Sequence, residues 1–385
     1  MPDTLRARLA IAVAVALATV VVLLFLEIEN QWQIALLAIG VVGALVVLEK
    51  TGLRLRTEQA AAREPRFSQS AAVIGCLVLA ATLYESHFAL LMLATVALYS
   101  IACLGLTVQF GYAGVANFAG AAFFGIGCYS AALLATHTAI PHLLIIAAAG
   151  VIAALIGSVL ILPMLRTRGH YAALITIAFG ILFKTFIEVN DALGGPQGLK
   201  VPGLTILGWS FNEPLRIADG LEASFYLNYA LLAVLLAACA FVLVKRLETS
   251  WIGLNLDAVR LDETAAAVSG IDIARWKILA FVLGNFLAGI AGAVYAMMSG
   301  YIAPNNFTFG DSLILVSIVI LGGLGNPRGV ILAALLLLVL PEKLQVIQEY
   351  RFLLYALLVI LILLFRPGGL LPRRLRDYFP KRARA

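Results

Sequence analysis

The chain has 385 residues, of which 62% are hydrophobic and 12% charged, and its mean hydropathy is +1.01. Soluble domains carry about 25% charged residues, so this composition excludes a soluble globular domain and describes a polytopic membrane protein. The net charge of +6 suits basic loops on the anionic face of a membrane better than nucleic-acid binding.

The first segment, MPDTLRARLA, is basic and leads into an apolar run from Leu9 to Leu26. That run exceeds the roughly 7–15 residues of a signal-peptide core, so it reads as a retained first span. A second run covers Ile34 to Leu48. A hydrophilic linker with Lys50, Arg54, Arg56, Arg63 and Arg66 follows. Residues 1–69 thus read as an accessory transmembrane hairpin plus a basic cytoplasmic linker, 70–372 as the main transmembrane domain, and 373–385 as a basic cytoplasmic tail.

In the main domain, apolar runs fall near 70–84, 88–110, 118–136, 142–163 and 171–190. They resume near 225–244, 276–299, 312–325, 329–348 and 352–366. The expected fold is all-α, with about 10–12 transmembrane helices, some of them interrupted by glycine. Arg6, Arg8, the 49–66 linker, Arg166, Arg168, Lys245, Arg246, Arg328 and the tail fall on one side of this arrangement. Glu27, Glu29, Glu85 and the 191–224 loop fall on the other. The bias places both termini in the cytoplasm.

Cys76, Cys103, Cys128 and Cys239 lie in apolar runs without a CxxC and read as core thiols. His137 and His142 flank Pro141 and are expected in a loop, with no metal site.

Two stretches interrupt the helices. Phe110 to Leu133 carries Gly111, Gly114, Gly120, Gly125 and Gly127, and LGGLGNPRG covers Leu321 to Gly329. Close helix packing through small faces and a broken helix lining a path both fit such sequences. Asn117 is an amide in an apolar region, and Phe118 and Tyr129 could offer apolar contact to a solute. With Thr176 they form the candidate substrate path. Lys184 and Glu188 share a helix face within a span. They are expected to pair while Lys184 snorkels outward. GGPQG at Gly194 to Gly198 reads as an outer turn, either plain or part of a docking rim.

The most polar stretch inside the main domain is Leu254 to Gly270, within a cytoplasmic loop at 245–275. Read as one helix, it places Leu254, Ala258, Leu261, Ala265 and Val268 on one stripe. Asn255, Asp257, Arg260, Asp262, Glu263 and Thr264 then lie elsewhere on the surface, and Gly270 is the C′ stop. It is too short to span a bilayer, and only Arg260 is basic, so docking on a protein fits better than lying on lipid.

Four stretches taken together resemble a known family: GYAG…AAFFGIGCY, TIAFGILFK…GGPQGL, DETAAAVSGI…AFVLGNFLAGIAGAVYA and ILGGLGNPRG…FRPGGLL. Over about residues 85–372 the chain is similar to bacterial ABC-importer permeases of the branched-chain amino-acid type, the larger of the two paired permeases. The resemblance implies an EAA-type coupling loop here, with Glu263, Ala265, Ala266 and Gly270 in matching positions beside Asp262. It further implies a second homologous permease, two cytoplasmic ATPases and an extracytoplasmic solute-binding protein. Where many members carry a His after the GYAG turn, this chain has Gly120. That departure leaves urea, short amides or aromatic acids as alternatives to a branched-chain or related hydrophobic amino acid.

No G-x-x-x-x-G-K-[ST] motif occurs, so ATP and Mg are expected in partner subunits, with no cofactor in this chain and no catalysis of its own. An ion-coupled secondary transporter would need intramembrane carboxylates, for which only Glu188 and Asp311 are available, both close to span ends. An integral-membrane enzyme lacks HExxH and G-x-S-x-G motifs. The remaining expected partner is membrane lipid; nucleic acid is not expected.

Overall fold

The computed structural model describes residues 3–28, 30–51, 64–165, 167, 170–206, 208–218, 221–343 and 368–373. It also describes isolated positions at 57 and 60 and between 349 and 364. Arg54, Arg56, Arg63, Arg166, Arg168, most of the 352–366 run and the tail beyond Arg373 lie outside the described residues.

A chain this apolar has no water to satisfy its backbone within lipid, so it folds into helices that bond internally. In chain order these are α1 (Asp3–Glu27), α2 (Gln31–Lys50), α3 (Pro65–Thr82), α4 (His87–Leu106), α5 (Gly120–His137), α6 (His142–Leu165) and α7 (His170–Val189). They continue with α8 (Tyr226–Thr249), α9 (Trp251–Leu261), α10 (Glu263–Val268), α11 (Ile273–Ser299), α12 (Phe309–Gly322) and α13 (Pro327–Lys343). Among the described residues, eight helical segments are long and apolar enough to cross a membrane. The structure is therefore an all-α, polytopic membrane fold.

The long helix α11 is the axis, packing along α4, α5 and α6, while α8 packs along α4. The His87–Tyr112 segment is 72% buried, whereas the corresponding windows of α1 and α7 are 17% buried. The first lies inside the bundle, and the other two present apolar side chains outward. Small residues set the spacing. Gly75 of α3 faces Val15 and Thr19 of α1, and Gly150 of α6 faces Phe286 and Ile290 of α11.

The expected division at 69/70 falls inside α3, because Pro65 occupies the first turn and opens the helix earlier than hydropathy suggests. The first hairpin is also tied to the body. Arg8 pairs with Glu64 at 3.2 Å, and the Lys343 ammonium donates to the carbonyls of Leu26 (2.6 Å) and Ile28 (2.9 Å).

One end of the bundle carries three small antiparallel pairs. They are β1 (Leu199–Lys200) with β6 (Tyr301–Ile302), β2 (Thr205–Ile206) with β3 (Trp209–Ser210), and β4 (Leu215–Ala218) with β5 (Leu221–Ala223). His137 closes α5 and His142 opens α6, so both are helix ends rather than loop residues. Cys103 and Cys128 are buried and Cys76 is half-buried, but Cys239 is exposed on α8, contrary to the core reading. The opposite end holds α9, α10 and the turn between α12 and α13, and there the candidate residues gather.

Candidate functional site

The stretch expected to form one helix over 254–270 is two helices. Asp262 is extended at φ −157°, and its Oδ1 accepts from the backbone N–H groups of Thr264 (2.8 Å) and Ala265 (3.0 Å). A short carboxylate satisfies orphan N–H groups at a helix start better than it serves a helix interior, so the chain breaks there. Gly270 ends α10 as expected, at φ +80°. Its N–H bonds to Ala267 and the Ile271 N–H to Ala266, both at 3.0 Å, which closes a Schellman turn.

This geometry changes the roles expected of individual residues. The continuous apolar stripe does not form, and Leu261 and Val268 are exposed, Val268 at 86%. Ala266, expected on the docking face, is only 3% exposed and packs inward. Ala265, Thr264 and Ala267 are exposed, and Glu263 reaches Lys277 of α11 at 2.6 Å. The tip is a small apolar knuckle whose shape is held by Asp262, Gly270 and the Glu263–Lys277 pair.

Asp257, expected on the surface, is buried beneath α9. Its two oxygens take both arms of the Arg373 guanidinium, at 2.6 and 2.9 Å. Arg373 also donates to the Gly111 carbonyl at 3.3 Å and to Glu248 at 3.4 Å, and it stacks 4.4 Å over the Tyr112 ring. Burial works against this charge, but the hydrogen bond and charge of Asp257, with Tyr112 and Glu248, hold the guanidinium above its usual value. Arg260 shifts the other way: burial, then the nearby Arg373, lowers its guanidinium from the ordinary value.

The interruption at 110–133 combines a helix break with close packing through small faces. After α4 the chain makes a π turn, Thr107–Tyr112, runs without helix through 113–119, and re-enters helix at Gly120. Gly114 has φ +67°, and a Cβ there would lie 3.1 Å from Cγ of Arg260. The break therefore rests against α9. Further along α5, Gly127 and the Phe124 backbone pack on Gly289 and Gly292 of α11. The second glycine stretch is the α12–α13 turn, and Gly325 within it packs on Gly111.

Three amides hold the break together inside the bundle. Asn117 donates to Gln109 Oε1 (2.8 Å) and Asn285 Oδ1 (3.2 Å), and accepts from the Ala119 N–H (2.9 Å). Gln109 donates to Asn285 Oδ1 and to the Phe281 carbonyl, both at 3.0 Å. Non-helical backbone within an apolar core persists only where protein groups satisfy it. Thr176 of α7 joins this group, accepting from the Phe118 N–H at 3.0 Å.

Asn117, Phe118 and Thr176 are thus brought together, while Tyr129 lies further along α5. The ring centroid of Tyr129 is 5.9 Å from Phe307 and 6.5 Å from Phe183, and its buried hydroxyl has no hydrogen-bond partner among the described residues. Asn117 is 0% exposed with its hydrogen bonds taken by protein, so in this conformation it braces the break and lines no open passage. Lys184 and Glu188 pair at 3.0 Å, as expected, on the partly exposed face of α7.

Fold and site together define a multi-pass helical membrane protein with a broken-helix interior and a paired-helix knuckle at one end. The family model described as the permease component of branched-chain amino acid transport systems matches residues 88–365, and the chain belongs to that family. It is 34% identical over 288 residues to the high-affinity branched-chain amino acid transport system permease protein LivM of Escherichia coli, covering 71% of this chain and 68% of that one. It is 25% identical over 326 residues to a probable LivM of Methanocaldococcus jannaschii, covering 72% of this chain and 91% of that one. Against LivH of Escherichia coli it is 24% identical over 289 residues, covering 71% and 91% respectively. No solved structure matches the chain.

Proposed function

We propose that this chain is the translocation subunit of an ATP-driven importer for branched-chain or related hydrophobic amino acids, working by alternating access in the inner membrane. The observation that carries the reading is the α9–α10 knuckle. It offers Leu261, Thr264, Ala265, Ala267 and Val268 outward, while its underside is fixed to the helix break through Asp257 and Arg373. Small apolar residues with few charges suit a contact that forms and releases. Asp262, Glu263, Ala266 and Gly270 set the shape of this docking element, and Ala265 contributes to its contact face.

The knuckle end also carries Arg8, Lys245, Arg246 and Arg328, which supports placing it, with both termini, in the cytoplasm. ATP and Mg belong to two cytoplasmic ATPase subunits docked there. The LivM and LivH relatives are both named as permeases of a branched-chain amino acid system, which supports pairing with a second, homologous permease. A solute-binding protein docks at the opposite end, where the 191–224 loop and GGPQG lie. Closure of the ATPases would tilt the knuckle and shift the break at 113–119, near Phe118, Thr176 and Tyr129 on the substrate path.

Reading the chain as an ion-coupled carrier is less well supported. Glu188 is paired with Lys184, and Asp311 is occupied in a capping box with Thr308. The test is uptake by the complete importer in proteoliposomes. Transport that follows internal ATP and survives an ionophore supports the proposal, and transport that collapses with the ion gradient refutes it.

A further inference from the structure

Beyond the knuckle, the break and the substrate path, one arginine, Arg373, with its side chain 8% exposed, ties four elements together. Residues 368–373 lie across the α12–α13 turn, with the Leu370 N–H bonded to Leu321 (2.7 Å) and the Leu371 N–H to Gly322 (3.2 Å). The Asn326 side chain returns a bond to the Leu371 carbonyl at 2.8 Å. Gly323 and Gly329 allow this approach, since a Cβ on either would press on Leu371. The segment is thus fastened by its backbone to the end of α12. Its last described residue, Arg373, then reaches Asp257 in α9, Glu248 at the end of α8, and both Gly111 and Tyr112 in the π turn.

A bare structural role does not account for this choice of residue. Ion pairs this buried, with side chains 8% and 5% exposed, gain little net stability over apolar packing, because desolvation offsets the attraction. What such a pair supplies is register: breaking it leaves a buried charge without a partner, so its two ends move together. The bidentate fork adds a fixed orientation that an ammonium lacks. Arg260 supplies the second point of contact between α9 and the break, through Gly114.

We infer that the 368–373 segment is a transmission strap, and that Arg373 is a positioning residue that conveys displacement of α9 to the helix break at 111–119. The inference rests on the docking role proposed for the knuckle and specifies how motion leaves it. When α9 shifts, Asp257 draws the guanidinium, and the guanidinium draws the Gly111 carbonyl and the Tyr112 ring. The α12–α13 turn is the anchor against which this pull acts.

The test uses the complete importer in proteoliposomes and measures ATP hydrolysed per solute taken up, together with ATPase co-purification. Arg373→Met is expected to co-purify with its ATPases and to hydrolyse ATP, while solute moved per ATP falls by about tenfold, within the range of ordinary site-to-site coupling. Arg373→Lys, which keeps the charge but not the fork, is expected to fall between the two. Should Arg373→Met fail to fold, Asp257→Asn, nearly isosteric, reads the same quantity. Normal stoichiometry in the variants overturns the strap, as does parallel loss of ATPase co-purification and transport, which would mean that Arg373 only maintains the knuckle. Val268→Trp separates the two proposals: if it binds ATPases and transports normally, the docking reading fails whatever Arg373 does.

Discussion

Gly127 and Gly289 meet backbone to backbone where α5 crosses α11: a Cβ on Gly127 would lie 2.7 Å from Cα of Gly289 and closer still to its carbonyl oxygen. Two further glycines repeat the device along α11. Gly284 faces Gly105 of α4, and Gly292 faces the Phe124 carbonyl of α5. In lipid, where burial of apolar surface gives helices little reason to associate, such close approach supplies the packing contacts. Gly127→Val should therefore separate the helices at a cost of about 1–3 kcal/mol or more. Size-exclusion profile and thermal melting of the purified protein check this, with Gly180→Ala as the control, since none of the described residues lies within 4 Å of its added Cβ.

Asn117→Leu removes two donated bonds and leaves Gln109 Oε1 buried without its donor. A loss of roughly 1–3 kcal/mol follows from one such unsatisfied group. Gln109→Leu, Asn285→Leu and Asn117→Leu should be non-additive because they share one network. Thermal denaturation in detergent of the single and double variants measures this.

Asp262→Ala should fray α10 by about 1 kcal/mol, since both capped N–H groups lose their acceptor. Asp262→Asn should retain most of the cap. Hydrogen exchange at residues 264–268 reads the difference directly, and amides that exchange as slowly in the alanine variant as in the parent would contradict the capping role.

Glu188→Gln tests the ion pair near the C-terminal end of α7. Glu188 is one residue from the end of that helix and Lys184 can snorkel to the aqueous interface, where an i,i+4 pair is worth about 0.3–0.5 kcal/mol. Uptake by this variant should stay within about twofold of the parent on that scale. An abolished signal would make Glu188 part of the transport path.

What could be read from the sequence was local. The apolar runs at 171–190 and 225–244 became His170–Val189 and Tyr226–Thr249, and Gly270 stopped α10 where a left-handed residue was needed. The break at 113–119 was foreshadowed by glycine density, although the same glycines also serve packing. Asp262 as a helix breaker was present in principle: an acid followed by Glu-Thr-Ala-Ala is also a helix start. The burial of Asp257 had no local signal, because its partner Arg373 lies 116 residues away, in what composition marks as the edge of a basic tail. Likewise, Asn117 looked like a free amide because Asn285 is 168 residues distant. Ala266 matched a family position, but only its burial in the folded chain, at 3% exposed, shows that its side chain faces inward.

The docking proposed for the exposed tip of α10 brings it against a nucleotide-driven partner. The most direct measurement is a photo-reactive residue at Val268 in the complete importer, with cross-linked products identified by mass spectrometry. Cross-links into an ATPase subunit are expected, with a yield that changes between the nucleotide-free and ATP-bound states. Cross-links to lipid alone, or labelling of position 268 by an impermeant reagent added from the periplasmic side, would contradict that docking.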